Sequence, residues 1–378
     1  MLWKPFPAIL SRLSLLLMVF CFNAGAEIDA NTRIELAAEQ LLRMQLDSGL
    51  FVYEHDFLSG ADSLHDNIVR QAGAAFALAE YFQYSKKAAA HRAIDRARKA
   101  FERNVIEWRE GKLLALGGKQ DQAKAGATAL AVLAALHSAA DEQELKSDRQ
   151  LRAWLNGLLA LQQQNGGFAS KPGSNLQSAY SNGEIWLALA VLQDKLGSGM
   201  DATLTKALQL ADNRFLQFYI ANPDIGFFHW GMMAAATRYW STRDARFSRF
   251  IAEQVRLFLK ELRPKTNHKS NSCYSVEGLL AGLAVLEAEK DYDQLSRQVS
   301  LRVDKEMKKN LRLQILPDQK RIQFSKKHYL KSPDIAQYPG AFLNGKYRPK
   351  TRIDATQHCL SAMIKDQARK RESASGNQ

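Results

Sequence analysis

The chain has 378 residues, 46% hydrophobic and 24% charged, which supplies a sizeable core and excludes a largely disordered protein. Lys and Arg number 52 against 39 Asp and Glu, giving a net charge of +13 that favours anionic partners. No helix-turn-helix, zinc-finger or RNA-binding pattern accompanies that charge, so nucleic acid is not the expected partner.

The N-terminus reads as a secretory signal. Lys4 and Arg12 make its positive start, Leu15–Phe22 its apolar run and Ala24-Gly25-Ala26 its small-residue cleavage site. The run is too short for a permanent anchor. Cleavage after Ala26 would leave a periplasmic or secreted protein of net charge +11 with no stable membrane span. Cys273 and Cys359 survive cleavage. They can pair in an oxidising compartment, although buried free thiols are the more ordinary expectation.

Six stretches then share one pattern, a polar or aromatic cluster followed by a helix rich in Ala, Gly and Leu. They begin near Asp66, Ala125, Tyr180, His229, Tyr274 and Asp354. Apolar nearly all round, such helices are expected to be buried. Charged helices with a 3.6-residue apolar period alternate with them, at Thr32–Gln45, Lys86–Glu107, Ser147–Gln164, Ala202–Ile220, Asp244–Leu262 and Tyr292–Asn310. Six inner and six outer helices predict an all-α (α/α)6 toroid occupying residues 27–368. The segment 311–352, with alternating apolar residues and Pro/Gly turns, predicts a β-hairpin and loop inserted before the last inner helix. Residues 369–378 read as a polar, disordered tail.

A second repeat supports the first. Residues 41–56 (LLRMQLDSGLFVYEHD) and 158–173 (LLALQQQNGGFASKPG) both carry Leu-Leu-x-x-Gln before a Gly-x-Phe turn, and 224–231 (DIGFFHWG) repeats the Gly-Phe element. This pattern resembles the hairpin turns of α/α-toroid proteins. That broad group includes terpene cyclases, six-hairpin glycosidases and the C-terminal domain of glucuronyl C5-epimerases. The resemblance implies an architecture and fixes no reaction.

In a toroid the inner-helix starts would meet at one mouth. The first brings Asp66, an N-cap candidate, with Asn67 and with Arg70, suited to binding a carboxylate or sulfate or to an ion pair with Asp66 or Glu80. The third brings Tyr180 and Glu184, the latter as acid/base or as a capping-box residue behind Ser181 or Asn182. The fourth places His229 and Trp230 for proton transfer and sugar stacking, or as aromatic core. The fifth supplies Tyr274 and Glu277. The sixth supplies Arg352, Asp354, Gln357 and His358. The second, Ala125-Gly126-Ala127, carries no chemistry.

Asp66, Tyr180, Glu184, His229, Glu277 and His358 are thus the candidate catalytic residues. Asn67, Arg70, Trp230, Tyr274, Arg352, Asp354 and Gln357 are the candidate substrate-binding ones. Walker A, GxSxG, HExxH and CxxC motifs are absent, as are acidic cyclase motifs of the DxDD or DDxxD kind. Cys273 with His358-Cys359 resembles, loosely, the zinc ligands of lanthionine cyclases, but the order is His-Cys and the glycine motif is missing. No metal or cofactor is expected.

The function read from these features is an exported carbohydrate-active enzyme on an acidic poly- or oligosaccharide. It would be either a glycoside hydrolase or a uronate lyase or epimerase. A non-catalytic glycan-binding or polysaccharide-export factor is the alternative from another class, and a metal-dependent peptide-modifying cyclase a weaker one.

Overall fold

The computed structural model describes residues 28–375, with side chains through residue 371; the expected signal segment lies outside the described residues. Each Ala/Gly/Leu-rich stretch forms a helix. These inner helices are Ile68–Ser85, Ala125–Ser138, Ala179–Leu196, Ile225–Thr242, Cys273–Ala288 and Ile353–Ser375. Their composition explains their place. In the second, every residue except His137 is buried, so no face is left for solvent. Each inner helix packs on the next and the sixth packs on the first, which closes the ring.

Outside it lie Ala30–Arg43, Ala88–Glu102, Arg149–Leu159, Ala202–Ala221, Ala245–Leu257 and Asp293–Asn310. Each buries one stripe, such as Ile94, Ala97 and Phe101 of the second outer helix. The architecture is the expected (α/α)6 toroid. No helix among the described residues is long and apolar enough to cross a membrane.

The turns from outer to inner helices are built alike in three places. Gln45 bridges to Phe51, Gln162 to Phe168 and Gln314 to Phe342. In each, the glutamine amide donates to a main-chain carbonyl of a neighbouring outer helix: Ala93 at 2.8 Å, Ala207 at 2.9 Å and Arg33 at 2.9 Å. Each turn also has a glycine at positive φ, Gly49 (89°), Gly166 (85°) and Gly340 (93°). A Cβ there would come within 2.3, 2.4 and 1.9 Å of the carbonyl oxygens of Arg96, Leu210 and Leu36, so only glycine fits. Sequence reading finds the first two copies. It misses the third because the insertion separates Gln314 from Gly340. Gly226 of the Asp224–Gly231 stretch is not a fourth copy; it lies in the first turn of the fourth inner helix, which Asp224 caps.

Four boundaries differ from expectation. The second outer helix stops at Glu102, and Val105–Trp108 pairs antiparallel with Gly111–Leu114; Val105, Ile106 and Trp108 favour a pleated strand over a fifth helical turn. The third outer helix stops at Leu159, because Gln162 is committed to its turn. The insertion holds two hairpins, Arg321–Gln323 with Tyr329–Lys331 and Leu343–Gly345 with Arg348–Arg352. The second of these joins Glu54–Asp56 and Ala61–Asp62 in a four-stranded sheet. The sixth inner helix continues to Ser375, into the stretch expected to be a tail.

Candidate active site

All six inner helices contribute residues from at or near their N-terminal ends to one cavity of about 430 Å³. Asn67 and Arg70, Gly126, Tyr180 and Glu184, Trp230, Tyr274, and Asp354 with Gln357 and His358 line it in ring order. A disulfide joins Cys273 to Cys359, against the expectation of free thiols. It ties together the starts of the fifth and sixth inner helices, beside Tyr274 and His358.

Glu184 is 3% exposed. Ser178, not Ser181 or Asn182, caps its helix, so Glu184 lies beyond the first turn and is no capping-box residue. Its carboxyl fits because residue 126 is glycine: a Cβ there would come within 1.8 Å of Glu184 Oε2. The second inner-helix start, expected to carry no chemistry, therefore seats this group. Burial, with no compensating cation, pushes the Glu184 carboxyl up to about 8, so it is protonated at neutral pH.

Beneath the cavity, Glu277 gathers a network. His358 Nδ1 lies 3.0 Å from Glu277 Oε2, and Ser361 donates to Oε1 at 2.6 Å. His229 Nε2 is 2.9 Å from Oε2, though off the line of a good hydrogen bond. Lys365 Nζ lies 3.6 Å from Glu277 Oε1 and 2.5 Å from Glu80 Oε1. Burial alone would raise Glu277, but the Lys365 cation and the contact with His358 outweigh it and hold the carboxyl well below the ordinary range. Burial instead lowers His229 to about 4, leaving it neutral.

His358 reaches the cavity, whereas His229 and Glu277 are fully buried behind it. His229 does not line the cavity itself but packs its ring behind Trp230, Tyr274 and His358, which do. His229, Glu277 and His358 offer three ligand atoms within 4.8 Å of one another, a donor set a divalent metal can use. Lys365, closer to Glu80 than to Glu277, is the cation of this cluster, and neither ring nitrogen of His229 has a hydrogen-bond partner among the described residues.

The other candidates divide. Asn67, not Asp66, caps the first inner helix. Asp66 is exposed and accepts from the Asn67 amide and from Gln71 at 2.6 and 2.7 Å, away from the cavity lining. Arg70 pairs with Asp354 at 2.8 Å, rather than with Asp66 or Glu80, and Arg352 holds the same carboxylate at 2.6 Å. Burial opposes ionisation of Asp354, but Arg352 and Arg70 overcome it and lower its pKa.

Trp230 and Gln357 line the cavity, Gln357 lying where a Cβ on Gly73 would strike it. Tyr180 is 51% exposed at the rim. Tyr274 donates its hydroxyl to the Ile225 carbonyl, and burial, with Tyr180 nearby, raises its pKa further. That makes it a poor acid or base at neutral pH, so it serves the cavity as a wall.

Sequence reading missed Lys124, Ser170 and Lys171 on the lining and Arg263 and Arg348 at the mouth. It also missed Ser361 and Lys365. Their signal was present: His358, Ser361 and Lys365 fall at i, i+3 and i+7, one face of an otherwise buried helix.

No family model matches this sequence, and comparison with curated proteins finds no match. Solved structures do match. An α-1,6-mannanase of glycoside hydrolase family 76 from Salegentibacter sp. HEL1_6 superposes with a TM-score of 0.63 at 11% identity, covering 90% of this chain and 99% of its own. An unsaturated glucuronyl hydrolase specific for heparin gives 0.61 at 11% identity, covering 90% of this chain and 98% of its own. A D-mannose isomerase gives 0.61 at 12% identity, covering 89% and 97%. The fold is that of the six-hairpin toroids. Identities this low carry the fold and leave the chemistry to the site. An inactive mannanase variant bound to α-1,6-mannotetrose has two adjacent aspartates replaced; this chain has no adjacent pair of aspartates.

Proposed function

We propose that the chain is an exported carbohydrate-active enzyme that moves a proton at a carbon next to the carboxylate of an acidic poly- or oligosaccharide. The observation that carries this reading is the His358–Glu277 pair, set in a cavity whose own buried carboxyl, Glu184, is protonated. An ionised Glu277 holds the Nδ1–H of His358, which leaves the Nε2 lone pair as the base. The base takes the C–H proton. In elimination the electron pair forms a C=C bond and expels the glycosidic oxygen, which takes its proton from Glu184. In epimerisation Glu184 returns a proton to the opposite face of the same carbon.

A substrate carboxylate must be neutralised for its neighbouring C–H to become acidic. Arg263 and Arg348 line the mouth with no ion-pair partner among the described residues. Trp230 and Tyr180 offer ring faces to a pyranose. The disulfide supports an oxidising compartment and hence export.

Hydrolysis is the second reading, favoured by the raised pKa of Glu184, which suits a glycosidase acid. It also needs a carboxylate base or nucleophile. The other carboxylate on the cavity lining, Asp354, is held by two arginines, which weakens it in that role.

Incubation with polyuronates in deuterated buffer tests the proposal. An ultraviolet-absorbing unsaturated product, or deuterium on a sugar carbon, is the expected result. New reducing ends with neither signal would mean hydrolysis. Tight binding with no reaction of any kind would mean a non-catalytic glycan-binding protein.

A further inference from the structure

Beside the mouth lies a second, larger depression, a groove of about 1010 Å³. The last outer helix, the loop after Leu262 and the insertion form its walls. Lys265, Lys305, Lys308, Arg312 and Lys346 line it, all exposed, and no lining residue is acidic. None of the five has an ion-pair partner among the described residues. Like charges gathered without counter-charge repel one another and raise the local potential, which an anionic ligand relieves. The floor is apolar, made by buried Leu313, Ile322 and Leu343.

The groove and the mouth share their dividing wall. Arg263 and Arg348 face the mouth, while Lys265 and Lys346, two residues away on the same segments, face the groove. The Lys346 amide donates to the Lys269 carbonyl at 2.7 Å, and Ser270 bridges to Gly345, so the two segments form one rigid divider. Cations therefore stand on both sides of this divider, facing the mouth and the groove.

We propose that this groove is a distal subsite for an anionic polysaccharide strand whose reacting residue occupies the cavity; this rests on the reading of the mouth as a site for acidic glycans. Sugar rings present C–H faces to an apolar floor and carboxylates or sulfates to flanking cations, which is the arrangement found here. No Phe, Tyr or Trp side chain lines the groove to stack nucleobases. Its concave form suits a strand rather than a flat lipid surface.

The test uses heparin as the polyanion, a heparin disaccharide as the short probe and the triple variant Lys305→Glu, Lys308→Glu, Arg312→Glu, all at exposed positions outside the cavity. Heparin binding should weaken about tenfold or more and lose much of its salt dependence, while disaccharide binding stays unchanged. The milder Lys→Gln and Arg→Gln triple should show the same trend if charge reversal disturbs folding. Unchanged heparin affinity in both triples overturns the proposal, as does an equal loss for both probes. Binding of phosphatidylserine vesicles, lost in the triple while heparin binding persists, also overturns it. If the wild type turns over no acidic glycan yet heparin binding still depends on these residues, the groove stands and the reading of the mouth fails.

Discussion

His358 Nδ1 and Glu277 Oε2 are 3.0 Å apart across the fifth and sixth inner helices, and this contact sets which imidazole nitrogen faces the cavity. Glu277→Gln keeps the shape but can present an amide N–H to Nδ1, which favours the wrong tautomer. We expect kcat to fall about a thousandfold or more with the fold retained. Steady-state rates on the best glycan, with circular dichroism, check this; a loss below about tenfold would sink the role given to Glu277.

Glu184 gives a pH signature in both activity and stability. With its pKa raised to about 8, the proton needed for general acid catalysis is lost above that pH, so kcat should fall on the alkaline side and Glu184→Gln should abolish the limb along with most activity. The folded state binds this proton more tightly than the unfolded chain does. Stability is therefore undiminished below the ordinary glutamate pKa of 4.5 and declines as pH rises towards about 8, by on the order of 5 kcal/mol across that window. Chemical denaturation across the window should show a shallower decline for Glu184→Gln than for the wild type.

Gly126→Ala should separate seat from fold. Its Cβ would lie 1.8 Å from Glu184 Oε2, so the carboxyl must move. A stability cost of about 1–3 kcal/mol is expected, with a much larger fall in kcat. Equal proportional losses in both would argue that Glu184 has no special position to lose.

The Cys273–Cys359 bond closes a loop of sequence separation 86. Loop-closure entropy assigns it about 4.6 kcal/mol. Replacing both cysteines by serine should lower the thermal midpoint and also kcat, because Tyr274 and His358 adjoin the two ends. A midpoint that does not respond to reductant in the wild type would show that the bond is not formed in solution.

The alternation of small-residue and amphipathic helices was legible in the sequence, because all-round apolarity demands burial and a 3.6-residue stripe demands one covered face. Its sixfold count and the Gln–Gly–Phe turns at Gln45 and Gln162 were enough to imply a toroid. Glu184, Arg70 and His358 were legible too, as polar groups on helices that otherwise exclude them. Their partners were not. Glu277 with His358, Arg70 with Asp354 and Gln314 with Phe342 are separated by 81, 284 and 28 residues, and periodicity carries no information on which helix face meets which across the ring. Nor could it show that Gly126 makes room for Glu184, or that Asp354 is spent on two arginines. Those facts depend on the distances between helices once the ring has closed. Local pattern therefore determined the barrel and the kinds of group at its mouth, while packing alone decided which carboxyl keeps its proton and which imidazole faces the substrate.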